Sequence, residues 1–136
     1  MKLQHIAFWT NDIGRAIRFY QQHFQGKVLF SHTDGDFSCT FISICNSVRL
    51  ELMHKPGLPE EQLGDRVGYS HLSLDVGSRT EVDRLTDYFL TQGVPLEKCK
   101  VQYDDGYYES SVFDPDGNII ELAFVDEAVN PNAQQI

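Results

Sequence analysis

The feature that most constrains this 136-residue chain is a repeat, because its two halves carry the same order of secondary-structure patterns. Each half begins with an alternating, strand-like run, at residues 3–9 and 70–76. Apolar residues at helical spacing follow, and three further strand-like segments complete each half. The repeat predicts an α+β fold made of two βαβββ modules.

Helix boundaries are signalled in both halves. Asn11 and Asp12 mark a helix start in the first half, and Gly26 is expected to stop that helix. In the second half Thr80 can cap a helix that ends at Gly93. Both predicted helices therefore directly follow the first strand of their half.

Turns and composition set the expected boundaries of the modules. The later strand-like segments cover residues 28–30, 37–44 and 48–53, then the surroundings of Val101, 110–113 and 118–125. Turns at residues 45–47 and 114–117 separate the last two segments of each half. We expect one domain with module 1 at about 1–55, a linker rich in Pro and Gly at about 56–67, module 2 at about 68–126 and a polar tail at 127–136.

Each half carries a His in its first strand-like run and a Glu in its last. These are His5 and Glu51, 46 residues apart, and His71 and Glu121, 50 residues apart. A single such Glu is more simply explained by a solvated sheet face, and a single such His by a structural role. The repeat changes this assessment, because two modules related by approximate two-fold symmetry would bring two imidazoles and two carboxylates together. Such a set can bind a divalent metal.

The other three histidines are weaker candidates. His23 lies near a helix end, His32 lies beside a strand end and His54 begins the linker, so all three are expected at the surface. His54 is the best reserve ligand because it is close to Glu51 in sequence.

Charge and cysteine content exclude several classes of protein. A net charge of −9 with scattered Lys and Arg argues against binding to nucleic acid. Three cysteines without a CxxC pair indicate free thiols in a reducing compartment. No signal peptide and no membrane-spanning run is recognisable, so a cytoplasmic protein without a membrane partner is expected.

Three segments carry a family resemblance. They are HIAFWTNDIGRAIRFYQQHF at residues 5–24, QLGDRVGYSHLSLDV at 62–76 and DPDGNIIEL at 114–122. In these segments the chain resembles the vicinal oxygen chelate superfamily of glyoxalases, bleomycin resistance proteins and dioxygenases. Within it, the chain is most similar to the glyoxalase I (lactoylglutathione lyase) branch, from Leu3 to about Val125. The DPDG turn followed by a Glu-bearing strand is among the more specific of these motifs.

The resemblance implies a fold, a metal and a reaction. Paired βαβββ modules would cup one divalent ion, Ni or Zn in the first place, with Co, Mn or Fe as alternatives. His5, Glu51, His71 and Glu121 match the family's ligands in order. The implied activity is that of a lyase or isomerase that transfers a proton through a metal-bound enediolate. Glu121 would be the main base, and Glu51 a second base or only a ligand. The resemblance also implies a homodimer.

The substrate is less constrained by the sequence. The reaction would suit an α-hydroxycarbonyl compound such as a hemithioacetal of methylglyoxal and a thiol. The positions of Trp9 and Lys55 do not match the family's glutathione contacts. Arg49 could supply a charge instead, whereas Lys55 and Arg66 are more simply solvated. Trp9, Arg49 and Tyr107 are the candidate substrate-binding residues.

Two further alternatives stay open. The segment 103–108 contains three tyrosines around a turn, and it fits either a substrate-facing lid or a hairpin packed on the sheet.

The chain could also be a different metalloenzyme on this scaffold, such as a dioxygenase or a thiol transferase, or a small-molecule binding protein without catalysis.

Overall fold

The computed structural model describes residues 2–59 and 67–131. The chain divides into two compact units, Met1–Gln62 and Leu63–Ile136. Each unit contains one four-stranded sheet and one helix, which confirms the predicted α+β class with two βαβββ modules. Residues 60–66 of the predicted linker and 132–136 of the predicted tail lie outside the described residues. The union of the modules in one domain stays a prediction.

Module 1 follows the predicted order of elements. These are β1 (Ile6–Trp9), α1 (Ile13–Phe24), β2 (Lys27–Asp34), β3 (Phe37–Ile44) and β4 (Val48–His54). The strands lie in the order β1-β4-β3-β2, with β1 parallel to β4 and the other pairs antiparallel. The first and last strands of the module are therefore neighbours, which brings Glu51 of β4 beside Ala7 of β1.

Module 2 repeats this topology. Its elements are β5 (His71–Asp75), α2 (Arg79–Thr91), β6 (Leu96–Gln102), β7 (Tyr107–Phe113) and β8 (Ile119–Val125). The strand order is β5-β8-β7-β6, and β5 runs parallel to β8. Glu121 of β8 is consequently paired with Ser73 of β5, as Glu51 is paired with Ala7.

Alternation along the strands separates a core face from a second face in each sheet. In module 1 the core face packs on α1, and it buries Leu50 and Leu52 of β4 against the helix residues Ala16 and Tyr20. Glu51 lies between these two leucines, so its side chain points to the other face, where it is half-buried. In both modules the His–Glu pair thus lies on the face of the sheet away from the helix.

The helix ends show where the sequence signals were right and wrong. Asp12 caps α1 as predicted, and its carboxylate accepts a hydrogen bond from the Arg15 N–H at 2.8 Å. The left-handed residue after α1 is Gln25, not Gly26. Gly26 is needed for close approach instead, because a Cβ there would lie 2.8 Å from the Tyr20 carbonyl.

The cap of α2 is Ser78 rather than Thr80. The Ser78 hydroxyl accepts from the Glu81 N–H at 3.2 Å, and Ser78 has an extended backbone suited to an N-cap. Thr80 already lies inside the first turn. The helix ends at Thr91, close to the predicted stop at Gly93, whose φ of +72° favours glycine.

The start of β1 and the turn after β6 also bear on the predictions. The strand β1 begins at Ile6, so His5 precedes the strand instead of lying within it. Residues 103–106 form the hairpin turn between β6 and β7, which the Tyr103 N–H closes by donating to the Tyr107 carbonyl at 2.8 Å, and residues 107 and 108 begin β7. The three cysteines are free thiols, as expected. No helix in the described part of the chain is long and apolar enough to cross a membrane.

Candidate metal centre

The His–Glu pair of module 1 is assembled by the pairing of β1 with β4. His5 stands directly before β1, and Glu51 lies in the middle of β4. The His5 Nε2 atom is 3.2 Å from Oε2 of Glu51. Both side chains are partly exposed, at 35% for His5 and 17% for Glu51, so an ion could reach them from solvent.

The pair in module 2 has the same construction. His71 is the first residue of β5, and its Nε2 atom is 3.6 Å from Oε2 of Glu121 in β8. The other carboxylate oxygen, Oε1, accepts a hydrogen bond from the Ser73 hydroxyl at 2.7 Å. Glu121 is more buried than Glu51, with 11% of its side chain exposed.

In both modules the residue before the histidine contacts the second ring nitrogen. The Nδ1 atom of His5 is hydrogen-bonded to Oε1 of Gln4, and Nδ1 of His71 lies 3.2 Å from the Ser70 hydroxyl. With Nδ1 in contact with this neighbour, the Nε2 atom of each ring faces the glutamate of its module. Such a partner orients a metal-binding imidazole and fixes its tautomer.

The spacing of each pair fits two neighbouring ligands of one ion. Two ligands bonded at about 2.1 Å and roughly 90–110° apart are about 3.0–3.4 Å from each other. The pair in module 1 falls in this range, and the 3.6 Å of module 2 is slightly longer. Imidazole and carboxylate are ligands for borderline divalent ions such as Zn and Ni.

The structure brings the four predicted ligands together as two pairs, one in each module. Within residues 2–59 and 67–131 no group of three or more His, Cys, Asp or Glu side chains is placed to hold a metal. Each module therefore accounts for two ligands, and the convergence of both pairs on one ion stays a prediction.

Cys39 is a neighbour of Glu51 that the sequence did not reveal. It lies on β3, is 4% exposed and shares the face of Glu51, because it pairs with Met53, two residues after Glu51 on β4. Burial, with Glu51 as a further cause, raises the pKa of the Cys39 thiol. The thiol is thus neutral near pH 7. The neighbouring-strand register that joins them has no signal in the local sequence.

Aromatic side chains surround the pair in module 1. Phe41 is the register partner of Glu51, stacks on Phe30 at 4.5 Å between ring centroids and meets the His5 ring edge-on at 5.2 Å. Trp9 is 45% exposed and contacts Phe37 edge-on. The environment of Glu51 is therefore largely apolar.

Polar side chains surround the pair in module 2. Ser111, the register partner of Glu121, donates to Oε2 of Glu97 at 2.6 Å. Glu109 is 7% exposed, and the Lys98 ammonium donates to it at 3.0 Å. The hydrogen bond to Glu109 raises the pKa of Lys98 above its usual range, so the Lys98 ammonium stays charged at neutral pH. This partly buried ion pair was not predicted from the sequence.

The candidate substrate-binding residues share the faces of the two pairs. Arg49 and Trp9 lie on the same face of module 1 as Glu51, because Arg49 is two residues before it and Trp9 pairs with Met53. The Lys55 ammonium lies over the Trp9 ring at 5.2 Å. Tyr107 lies on the same strand face as Ser111 in module 2 and is half-buried. Arg66 lies outside the described residues.

The reserve ligand His54 is not on the face of the pair. It is one position out of phase with Glu51 and Met53 on β4, so its side chain points to the opposite face. Its Nδ1 atom is 2.9 Å from the Thr10 carbonyl oxygen, a contact that ties the end of β4 to the residue after β1. The structure thus gives His54 a structural role, and its proximity to Glu51 in sequence was misleading.

Several solved structures have the same fold. A glyoxylase/bleomycin resistance protein/dioxygenase domain from Frankia sp. EAN1pec has a TM-score of 0.80 at 19% identity, covering 93% of this chain and 98% of that one. The fosfomycin resistance protein FosX from Listeria monocytogenes gives 0.73 at 20% identity, with 92% and 94% covered. The trypanothione-dependent glyoxalase I of Leishmania major gives 0.69 at 24% identity, with 94% and 88% covered.

At these identities the solved structures show a shared fold and no more. No curated protein matches the chain significantly. The sequence model of the Glyoxalase/Bleomycin resistance protein/Dioxygenase superfamily matches residues 2–122, which include both His–Glu pairs. The chain therefore belongs to the Glyoxalase/Bleomycin resistance protein/Dioxygenase superfamily.

Proposed function

We propose that this protein is a glyoxalase-I-like metal-dependent lyase or isomerase. The observation that supports the proposal is the duplication of one arrangement in both modules. In each, a histidine Nε2 atom faces a glutamate Oε2 atom, at 3.2 Å in one module and 3.6 Å in the other. A family scaffold with four intact candidate ligands favours proton transfer over chemistry that needs open metal positions for oxygen.

The proposed ligands are His5, Glu51, His71 and Glu121, and the proposed metal is one divalent ion per set, Ni or Zn first. When bound, the metal would polarise the substrate carbonyl and acidify the neighbouring C–H. The chain's own groups then move the proton. Glu121 removes it from one carbon and returns it to the adjacent carbon, so one C–H bond breaks, another forms and the composition of the substrate is unchanged.

The proposed substrate is an α-hydroxycarbonyl compound such as the hemithioacetal of methylglyoxal with a thiol. Trp9 and Arg49 on the face of Glu51, and Tyr107 on the face of module 2, are proposed as substrate contacts. Glutathione carries two carboxylates, and Lys55 is placed over Trp9 rather than matching the family's glutathione contacts. The thiol is therefore left to experiment.

The reaction is tested by supplying purified, metal-loaded protein with methylglyoxal and a series of thiols. We expect thioester product with the mass of the hemithioacetal, and we expect a chelator to abolish its formation. Thioester absorbance distinguishes the product from the isomeric hemithioacetal, and an oxygen electrode separates the isomerase from a dioxygenase, which consumes oxygen. A thiol transferase would instead give a product of different mass, because it adds the thiol to another acceptor. Failure of every thiol adduct to react would exclude the isomerase and leave another substrate class or a binding protein.

We also propose that the chain forms a homodimer with one small-molecule site for each set of ligands. Closed two-fold dimers are the commonest assemblies of identical chains. Light scattering of the purified protein at low concentration should give about twice the chain mass of 15.5 kDa. A monomer at all concentrations would contradict the dimer while leaving the proposed ligands unchanged.

A further inference from the structure

The two carboxylates of the proposed site are held differently. Ala7 and Ser73 occupy equivalent positions, since each is two residues after the histidine and each pairs with the glutamate of its module. Only Ser73 of these two has a hydroxyl, and it donates to Oε1 of Glu121 at 2.7 Å. The methyl group of Ala7 offers Glu51 no such bond.

The two carboxylate oxygens of Glu121 have different partners. Oε1 is occupied by the hydroxyl, whereas Oε2 faces Nε2 of His71. A carboxylate fixed at one oxygen keeps its place when the other oxygen gains or loses a partner. Charge-assisted hydrogen bonds of this length are among the stronger ones in proteins.

We infer that Ser73 is a positioning residue for Glu121, an inference that rests on the proposed function of this site. Ser73 anchors Oε1 so that Oε2 is presented on the His71 side for binding the metal and for proton transfer. At the equivalent position of module 1, Ala7 gives Glu51 no such anchor. The two modules therefore hold their carboxylates unequally, with the anchored one in module 2.

The test compares Ser73→Ala, Ser73→Thr and Ser111→Ala in the full chain. Ser111 is a matched control, because it is a buried serine paired with Glu121 whose hydroxyl donates to Glu97 instead. Ni and Zn affinities are measured by calorimetry, and kcat and KM are measured on the hemithioacetal that the wild-type protein turns over. Ser73 is exposed on an edge strand, so thermal unfolding should change little in Ser73→Ala.

We expect Ser73→Ala to lose about 10–100-fold in metal affinity or in kcat, the usual effect of removing a partner of a metal ligand. Ser73→Thr keeps a hydroxyl and should stay within about threefold of the wild type, and Ser111→Ala should do the same. Wild-type values in Ser73→Ala would overturn the inference, as would an equal loss in Ser111→Ala or no rescue by threonine. Absence of metal binding by the wild-type protein would instead overturn the proposed function, and this inference with it.

Discussion

Replacing Glu121 by glutamine should lower kcat at least about 100-fold, the usual effect of losing a general base. The amide oxygen of the introduced glutamine can still bind a metal at the position of Oε2 while its NH2 group donates to the Ser73 hydroxyl, but the amide cannot take up a proton. Metal affinity should therefore fall much less than turnover. Steady-state kinetics and calorimetric metal titration of Glu121→Gln check the two expectations separately.

The matched control is Glu51→Gln, which makes the same chemical change in the equivalent strand of module 1. It should reduce turnover less, because Glu51 is proposed as a ligand or secondary base. If Glu51→Gln has no turnover while Glu121→Gln stays active, Glu51 is the main base and the roles of the two glutamates are reversed. Normal turnover in both variants would rule out a glutamate base altogether.

Replacing His5 or His71 by alanine should weaken metal binding by about 2.5–4 kcal/mol, or roughly 70–900-fold, if each of four ligands contributes about a quarter of a typical structural-metal affinity. Alanine leaves no nitrogen in place of Nε2, which faces a glutamate oxygen in each module. Calorimetric titration with Ni and Zn measures the loss. If both pairs bind the same ion, each of the two variants should weaken the binding of that one ion.

His54→Ala is the matched control for the histidine variants. His54 is on β4 near Glu51, but its ring contacts the Thr10 carbonyl on the opposite side of the strand. Its removal should leave metal affinity unchanged. If His54→Ala weakens binding while His5→Ala does not, the reserve ligand is the true one and the duplicated pair in module 1 is coincidental.

Most of the fold could be predicted because each element has a local pattern and the second half repeats the first. Alternation in segment 37–44 and the turn at 45–47 depend only on nearby residues, and β3 has the predicted bounds. The positive φ angles of Cys45 and Asn46 close that turn. The repeat of this element order then predicted two βαβββ modules without any knowledge of long-range contacts.

Element ends were predicted less well, because neighbouring residues compete for the same role. Ser78 and Thr80 are both suitable caps, and the extended backbone at Ser78 decides between them. Gly26 was expected to stop α1, but glycine is required there by the close approach to Tyr20, and the residue that adopts the positive φ is Gln25.

The partners of the site residues could not be predicted, since they depend on strand register. Ser73 reaches Glu121 only because β5 pairs with β8 in one particular register, and Lys98 reaches Glu109 across an irregular pairing of β6 with β7. A shift of one residue would turn each of these side chains to the other face. The pattern that located the histidines and glutamates therefore said nothing about their second partners.

The most direct test of the proposal is a calorimetric titration of metal-free wild-type protein with Ni and with Zn. The duplicated His–Glu pairs predict saturable binding of one ion per chain. Binding should become weaker when the solution is acidified, because protons compete with the metal for imidazole and carboxylate. Two ions per chain would mean that each pair binds separately. No saturable binding of any divalent metal would contradict the proposal that these four side chains form a metal centre.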